Sequence, residues 1–415
     1  MAGAFEKQNG ILHCEGCSLK QLAKDIGTPL YVYSRRALVE NFKQFESAFA
    51  GVPHFVCFAV KANSNLSLLK LFRDLGAGYD IVSGGELFRV RQIGVDPQKV
   101  VFSGVGKKNT EIDYALNSNI LLFNVESKAE LEAIEARCKL LNIPARISFR
   151  VNPDIDPETH PHISTGLQQH KFGVGLDEAI SLYQQATSLS QVEPVGISCH
   201  IGSQVTSLRP FLEATQRLLT TVDQLNASGI RLQYIDLGGG LGIRYRDESP
   251  PTVAEYARAL SELVTGRPET LILEPGRILS GNAAVLLTEV LYLKESQGRQ
   301  FVVVDAGMND LIRPGLYGAY HEIIPVESVE RENFVADVVG PVCETTDYLA
   351  RDRSMPQVQR GETLAVKDTG AYGFTLSSNY NSRPRAAEVL VDGQSYQIIR
   401  KRESYEDLIR GEKGS

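Results

Sequence analysis

Lys61 closes the segment His54-Phe-Val-Cys-Phe-Ala-Val-Lys-Ala-Asn63. The residues before it are apolar and rich in β-branched and aromatic types, the pattern of a buried strand. A lysine at the end of such a strand can lose its proton when desolvated and attack a carbonyl to form a Schiff base. Other chemically able residues follow apolar runs in the same way. Asp80 runs into Ser83-Gly84-Gly85-Glu86, and a later run ends in Cys199-His200-Ile201-Gly202-Ser203. Two more end in Gly238-Gly239-Gly240 and in Glu274-Pro275-Gly276-Arg277. Three consecutive glycines let backbone N–H groups approach an anion closely, although a tight turn alone would also use them. A second glycine-arginine loop favours a phosphate site.

Elements of regular spacing must place these residues. Eight strands are expected at His54–Val60, Gly78–Val82, Lys99–Ser103, Ile120–Val125, Ala145–Val151, Val195–Ile201, Leu232–Leu237 and Thr270–Leu273. Helical periodicity lies between them. Asn63-Ser64-Asn65 can cap a helix over Leu66 to Leu75. Ala129–Leu141 sets Leu131, Ile134 and Cys138 on one face, and Phe211–Leu225 does the same with Leu212, Leu219, Val222 and Leu225. Asp177–Leu189 and Thr252–Val264 are similar. Eight alternations over about 240 residues predict a (β/α)8 TIM-type barrel, whose chemistry sits at the C-terminal ends of the strands. An open doubly wound sheet would call for fewer strands and a glycine fingerprint after the first.

After Ile278 the pattern changes to strands at Ala284–Leu293, Arg299–Ala306, Phe334–Val339, Glu362–Ala365, Ala387–Val391 and Tyr396–Arg400, with a helical stretch at Tyr405–Arg410. The expected division is a barrel over 36–279 and a mostly antiparallel C-terminal β domain over 280–415. Ile11–Leu12 and Leu30–Tyr33 are also strand-like, and residues 1–35 are expected to join the β domain. Two domains suit the 415 residues.

The net charge of −7, without long basic runs, argues against nucleic acid as a partner. No apolar run is long enough to cross a bilayer, and the first ten residues lack the order of a signal peptide, so no membrane partner and a cytoplasmic location are expected. The six cysteines are scattered, and disulfides are not expected in that compartment. Cys14 and Cys17 form a C-x-x-C pair, but no second pair or histidine pair completes a site, so no metal is expected.

In barrels a phosphate site is often built from the loops after strands seven and eight, here Gly238–Gly240 and Gly276-Arg277. A Schiff-base lysine beside such a site suggests pyridoxal 5'-phosphate. That cofactor needs a carboxylate facing its ring nitrogen, for which Glu274 is the candidate, and a flat partner for the ring, for which His200 is the candidate.

Ala59-Val-Lys-Ala-Asn63, the CHIGSQ run at 199–204, the DLGGG run at 236–240 and the EPGR run at 274–277 resemble the fold-type III pyridoxal-phosphate decarboxylases. Arg313-Pro-Gly-Leu-Tyr317, Gly340-Pro-Val-Cys-Glu344, Asp368-Thr-Gly-Ala-Tyr372 and Ser377-Ser-Asn-Tyr-Asn381 resemble the branch of that family that acts on diaminopimelate. The matches run in order from about Tyr31 to Leu408.

The resemblance implies roles. Lys61 would carry the cofactor, His200 would stack on its ring, Glu274 would bind the ring nitrogen, and Asp80 would lie near the linkage. Ser203, Gly238, Gly239, Gly240, Gly276, Arg277 and Tyr372 would surround the phosphate. Arg277, Arg313, Tyr317, Glu344 and Tyr372 would hold the substrate, and Cys343 would act as proton donor. The resemblance also implies a head-to-tail homodimer in which each active site borrows Cys343 and Glu344 from the other chain. The implied reaction is decarboxylation of meso-2,6-diaminopimelate to L-lysine and CO2. Arg313 supports it, because a guanidinium fork can hold a distal carboxylate in bidentate fashion.

Relatives that take D-lysine, D-ornithine, arginine or carboxynorspermidine define the alternative substrates. A racemase with the same cofactor would need a second base, usually a tyrosine, on the opposite ring face. A silent homologue would be expected to lack Lys61 or Cys343, and both are present. A sugar-phosphate barrel enzyme would explain the glycines but not the β domain.

Overall fold

The structure, a computed structural model, describes residues 4–156, 171–328 and 330–413. These form two compact units, one of Phe42–Ile243 with Ser249–Ile278, the other of residues up to Asn41 with Arg244–Glu248 and Leu279 onward.

The first unit is a closed barrel. Its strands are β1 His54–Ala59, β2 Gly78–Ile81, β3 Val100–Phe102, β4 Leu122–Val125, β5 Ala145–Asn152, β6 Val192–Ser198, β7 Tyr234–Asp236 and β8 Thr270–Leu273. Each pairs in parallel with the next. β8 returns to β1 through Leu271, Ile272 and Leu273 against His54, Phe55 and Val56, which closes the ring. Cys57, Val101, Leu121, Leu122, Val195 and Ile272 pack as one buried cluster. Closure leaves no strand edge and directs successive side chains alternately inward and outward.

The helices follow from local signals. α1 (Leu66–Asp74) starts where the Asn65 side chain accepts from Ser67 N at 2.9 Å. α2 (Gly84–Gln92) starts at Ser83, whose hydroxyl accepts from Glu86 N at 3.2 Å. α3 (Asn109–Ser118) and α4 (Lys128–Leu141) both end in a left-handed asparagine, Asn119 and Asn142. α5 (Leu176–Thr187), α6 (Arg209–Ala227) and α7 (Val253–Val264) follow in the outer layer, α7 opening with a Thr252–Glu255 capping box. Phe58 of β1 stacks on Phe72 of α1 with ring centroids 4.3 Å apart.

The other unit is mostly antiparallel. Its main sheet runs in the order Tyr348–Pro356, Asn333–Val339, Arg299–Val304, Ala284–Ser296, Leu30–Ser34, Ala387–Asp392, Ser395–Arg400, with Thr363–Val366 also on Ala284–Ser296. Two pairings are parallel, Arg299–Val304 with Asn333–Val339 and Leu30–Ser34 with Ala387–Asp392. Cys14 and Cys17 are register partners across a small N-terminal hairpin, both buried.

Three differences from the sequence expectations stand out. β6 begins at Val192 and ends at Ser198, so Cys199 and His200 lie beyond it in the loop. Its register slips between Pro194 and Gly196, where proline cannot donate to the ladder. The strand Tyr348–Pro356 was not expected, because its Arg-Asp-Arg-Ser centre hides any apolar alternation. Val60, expected as the last residue of the first barrel strand, instead opens a 3-10 turn, Val60–Ala62, so Lys61 leaves from a turn.

Candidate active site

The C-terminal ends of the barrel strands surround a cavity of about 410 Å3, lined by Lys61, Asn124, Arg150, Ser198, His200, Asp236 and Glu274 among others. These residues sit on, or just after, strands spread around the ring. That is the arrangement a parallel barrel gives its strand-end side chains.

Lys61 Nζ donates to Asp80 Oδ2, on the neighbouring strand β2. Asp80 is fully buried, and its Oδ1 has no hydrogen-bond partner among the described residues. Glu274, one residue past β8, is also buried, and its Oε1 has none among the described residues either. Asp236 ends β7. Its carboxylate accepts from Asn124 Nδ2 and from Gly238 N, both at 2.9 Å. Asp236 and Glu274 are within hydrogen-bonding reach of one another. Burial, then the neighbouring Asp236 and Asp80 charges, push the Glu274 carboxyl well above its usual range. Burial likewise pushes Asp236 up to about 6. Three carboxyl groups thus converge beside one lysine in a place that resists negative charge.

His200 follows β6. Gly239 N donates to its Nδ1 at 3.2 Å, so a neutral ring carries its proton on Nε2. Burial first, then the Arg150 and Lys61 charges, hold its pKa well below the ordinary histidine value. A neutral, flat imidazole at the cavity wall suits stacking on an aromatic ring. Arg150, on β5, bonds Glu126 at 3.1 Å and covers the Phe172 ring at 4.8 Å.

The glycines have a structural reason. A Cβ on Gly239 would lie 2.2 Å from the Glu274 carbonyl oxygen, one on Gly240 2.4 Å from the Gly202 oxygen, and one on Gly238 2.7 Å from the Cys199 oxygen. Gly238 and Gly240 also have positive φ, +65° and +115°. Two of the three N–H groups serve the protein itself, Gly238 toward Asp236 and Gly239 toward His200. The triple glycine therefore locks the ends of β6, β7 and β8 together as well as leaving a smooth backbone surface. Arg277, in the next loop, donates from Nη2 to Ser203 Oγ at 2.9 Å.

A buried girdle supports the wall between β3 and β5. Lys107 Nζ donates to Gly104 O at 2.8 Å, Asn124 O at 2.7 Å and Glu130 Oε1 at 2.6 Å. Glu126 accepts from Gly104 N at 2.9 Å, Gly173 N at 3.0 Å and Arg150. Sequence alone assigns no role to Asn124 or Arg150, and Asp236 enters only as part of the DLGGG run. Their signal is a polar residue inside an apolar strand, as in Phe123-Asn124-Val125 and Phe149-Arg150-Val151.

Lys61, Asp80, His200, Ser203, Gly238, Gly239, Gly240, Glu274, Gly276 and Arg277 all belong to this unit, and Lys61, His200 and Glu274 line its cavity. Arg313, Tyr317, Cys343, Glu344 and Tyr372 belong to the other unit. There Arg313 is buried at the start of a short helix, Arg313–Tyr317. Tyr372 has a φ of +56°, uncommon for a bulky side chain. Glu344 accepts from the Tyr380 hydroxyl. Of the six cysteines Cys343 alone is exposed. Among the described residues no group of three or more His, Cys, Asp or Glu is placed to hold a metal, and no helix is long and apolar enough to cross a membrane.

A pyridoxal ring fits this cavity on its own chemistry. Lys61 is a primary amine for an aldehyde, and the unpartnered Glu274 Oε1 is an acceptor for a protonated ring nitrogen. A cationic ring would offset three crowded carboxyls, and His200 offers a flat face.

Comparison with known proteins gives the same direction. Residues 35–281 match the family model described as pyridoxal-dependent decarboxylase, pyridoxal binding domain. The chain is 51% identical over 408 residues to diaminopimelate decarboxylase of Pseudomonas aeruginosa, covering 98% of both chains. It is 50% identical over 406 residues to that of Aquifex aeolicus, covering 98% of this chain and 96% of the relative. Among solved structures it resembles diaminopimelate decarboxylase from Helicobacter pylori complexed with L-lysine, with a TM-score of 0.91 and 43% identity over 94% of this chain and 98% of that one.

Proposed function

The chain belongs to the pyridoxal-dependent decarboxylases, and within them to the diaminopimelate decarboxylases; from that premise we propose that it converts meso-2,6-diaminopimelate to L-lysine and CO2 at the D-centre. The observation that carries the reading is Lys61 held by the buried Asp80 in one cavity with His200 and Glu274.

Lys61 would hold the cofactor covalently, Glu274 its ring nitrogen, and His200 the ring face. Ser203, Gly240, Gly276, Arg277 and Tyr372 would hold its phosphate. Pyridoxal 5'-phosphate, when bound, supplies an aldehyde that condenses with amines and a protonated ring that accepts the electron pair left by a departing carboxyl group. The protein's residues prepare that chemistry. Asp80 would fix Lys61 Nζ in place for its condensation with the aldehyde. Glu274, sharing its site with Asp236, would keep a hydrogen-bonded proton at the ring nitrogen. His200 stays neutral and so adds no charge beside the reacting atoms.

Arg277, Arg313, Tyr317 and Glu344 hold the intact L-end, the arginines on its carboxylate and Glu344 on its ammonium. Cys343 would be the proton donor of the reaction, and its exposure suits a residue lent to a second chain. The working unit is then a head-to-tail homodimer with shared active sites. The cytoplasm is the compartment in which its six free cysteines would stay reduced.

The test is turnover of meso-diaminopimelate against D-lysine, D-ornithine and L-arginine, with CO2 and product chirality measured. L-Lysine should form from diaminopimelate in clear preference, and Lys61→Ala should abolish it. Full turnover in Lys61→Ala, or preference for another substrate, would overturn the reading.

A further inference from the structure

Arg313 does not stand by itself in its unit. The sequence Arg313-Pro-Gly-Leu-Tyr-Gly-Ala-Tyr-His321 turns back on itself. The short helix ends at Gly318, whose φ of +62° reverses the chain, and His321 returns beside Arg313. Arg313 Nη1 lies 2.9 Å from His321 Nε2 and 3.1 Å from the Tyr245 hydroxyl, and the guanidinium carbon sits 4.9 Å from the Tyr245 ring centre. The Tyr245 and His321 rings meet edge to face at 5.4 Å.

The protonation state of His321 is set by its partners. Its Nδ1 lies 2.8 Å from the Lys367 carbonyl, which can only accept, so Nδ1 carries a proton. Arginine can only donate, so Nε2 must present a lone pair. The ring is therefore neutral, in one tautomer, and fully buried. Its backbone is fixed as well. Arg353 donates to the His321 carbonyl at 2.8 Å, and Ile323–Pro325 pairs with Thr363–Val366 close behind it.

We propose that His321 is a positioning residue for substrate selection, a neutral acceptor that fixes the Arg313 guanidinium against Tyr245 so that it can take a distal carboxylate. The inference rests on the proposed role of Arg313 as the group that holds that carboxylate. The choice of histidine has a physical reason. A carboxylate at 321 would hold the guanidinium equally firmly but cancel the charge that a substrate carboxylate must find. A neutral imidazole orients the fork and leaves the charge in place. Nearby Asp368 feels the Arg313 charge, yet burial pushes its carboxyl up to about 6.

The experiment measures binding of L-lysine and of 1,5-diaminopentane to the holoenzyme by calorimetry. The two ligands differ by the carboxylate alone. His321→Leu removes the acceptor, and His321→Gln keeps one at the Nε2 position. In His321→Leu the Kd for L-lysine should rise roughly ten- to a hundredfold, the range of a hydrogen bond to a charged group, while diaminopentane binding stays constant. His321→Gln should stay within a few-fold of wild type. For diaminopimelate the loss should fall on KM more than on kcat, with the cofactor absorbance unchanged. If Leu does not fold at this buried position, His321→Asn, too short to reach Arg313, replaces it with the same expectation. Equal weakening of both ligands, or an unchanged L-lysine Kd in both His321→Leu and His321→Asn, would overturn the role of His321. Arg313→Met separates the two claims. If it leaves the preference for L-lysine intact, the reading of Arg313 itself fails; if it abolishes the preference while His321→Leu does not, only the inference about His321 fails.

Discussion

Gly239→Ala tests whether the triple glycine acts by packing. The φ of Gly239 is not in the left-handed region, so alanine meets no backbone penalty there and the substitution isolates a steric term. The new Cβ would stand 2.2 Å from the Glu274 carbonyl oxygen, where real Cβ atoms essentially never come closer than 3.0 Å. The loop after β8 must then retreat by about 0.8 Å at least. It cannot do so freely. Glu274 N donates to Gly238 O at 2.7 Å, and Ala59 N donates to Pro275 O at 3.1 Å, two residues before Lys61. The displacement therefore reaches Glu274, His200 and the turn that carries Lys61.

Overpacking of this kind costs about 1–3 kcal/mol, a fall of a few degrees in Tm for a unit of this size. A shift of about 1 Å in reacting groups costs on the order of a hundredfold in rate. Both quantities, melting by circular dichroism and kcat/KM for diaminopimelate, should fall together. Gly106→Ala is the control, because that glycine lines the same cavity and an added methyl there would have nothing within 4 Å among the described residues. It should leave stability unchanged. Wild-type rate and Tm in Gly239→Ala, or an equal loss in Gly106→Ala, would refute the steric argument.

The buried charges give two further expected outcomes. Asp236, pushed up from 3.8 to about 6, holds its proton more tightly folded than unfolded, so it favours the fold below pH 4 and loses that contribution as pH rises to 6. At about 1.4 kcal/mol per pH unit the loss is on the order of a few kcal/mol. Asp236→Asn removes the slope, so the stability of the variant relative to wild type, from denaturant unfolding of the cofactor-free protein, should rise by about that amount between pH 4 and 6. Parallel curves would refute it. Lys107→Met strands the Glu130 carboxylate in a buried site and should cost about 3–5 kcal/mol, most of it restored in the double variant Lys107→Met/Glu130→Gln. A single variant within experimental error of wild type would show that the girdle carries no weight.

What could be read from the chain alone depended on whether the reason for a residue is local. Lys61 and Glu274 were legible because an apolar run followed by a polar residue marks a strand end, and eight such runs force a barrel with all those ends on one face. The barrel's count and its parallel order emerged for the same reason. The glycines were legible as glycines but not for their full reason. An anion-facing backbone and a close approach of three loops ask for the same residue, and only the 2.2 Å and 2.4 Å gaps distinguish the second demand from the first. Asp236 and Asn124 were not legible, because whether a polar residue in a strand points into the barrel depends on how the sheet closes. His321 is the extreme case. Nothing in its neighbours marks it, and its tautomer is set by Lys367, 46 residues away, through a pairing with Thr363–Val366 that no local pattern announces. The residues that perform chemistry sit at element ends and are visible. Those that orient them are chosen by tertiary contact, which is why substrate selection, not the Schiff-base lysine, is where the structure adds most.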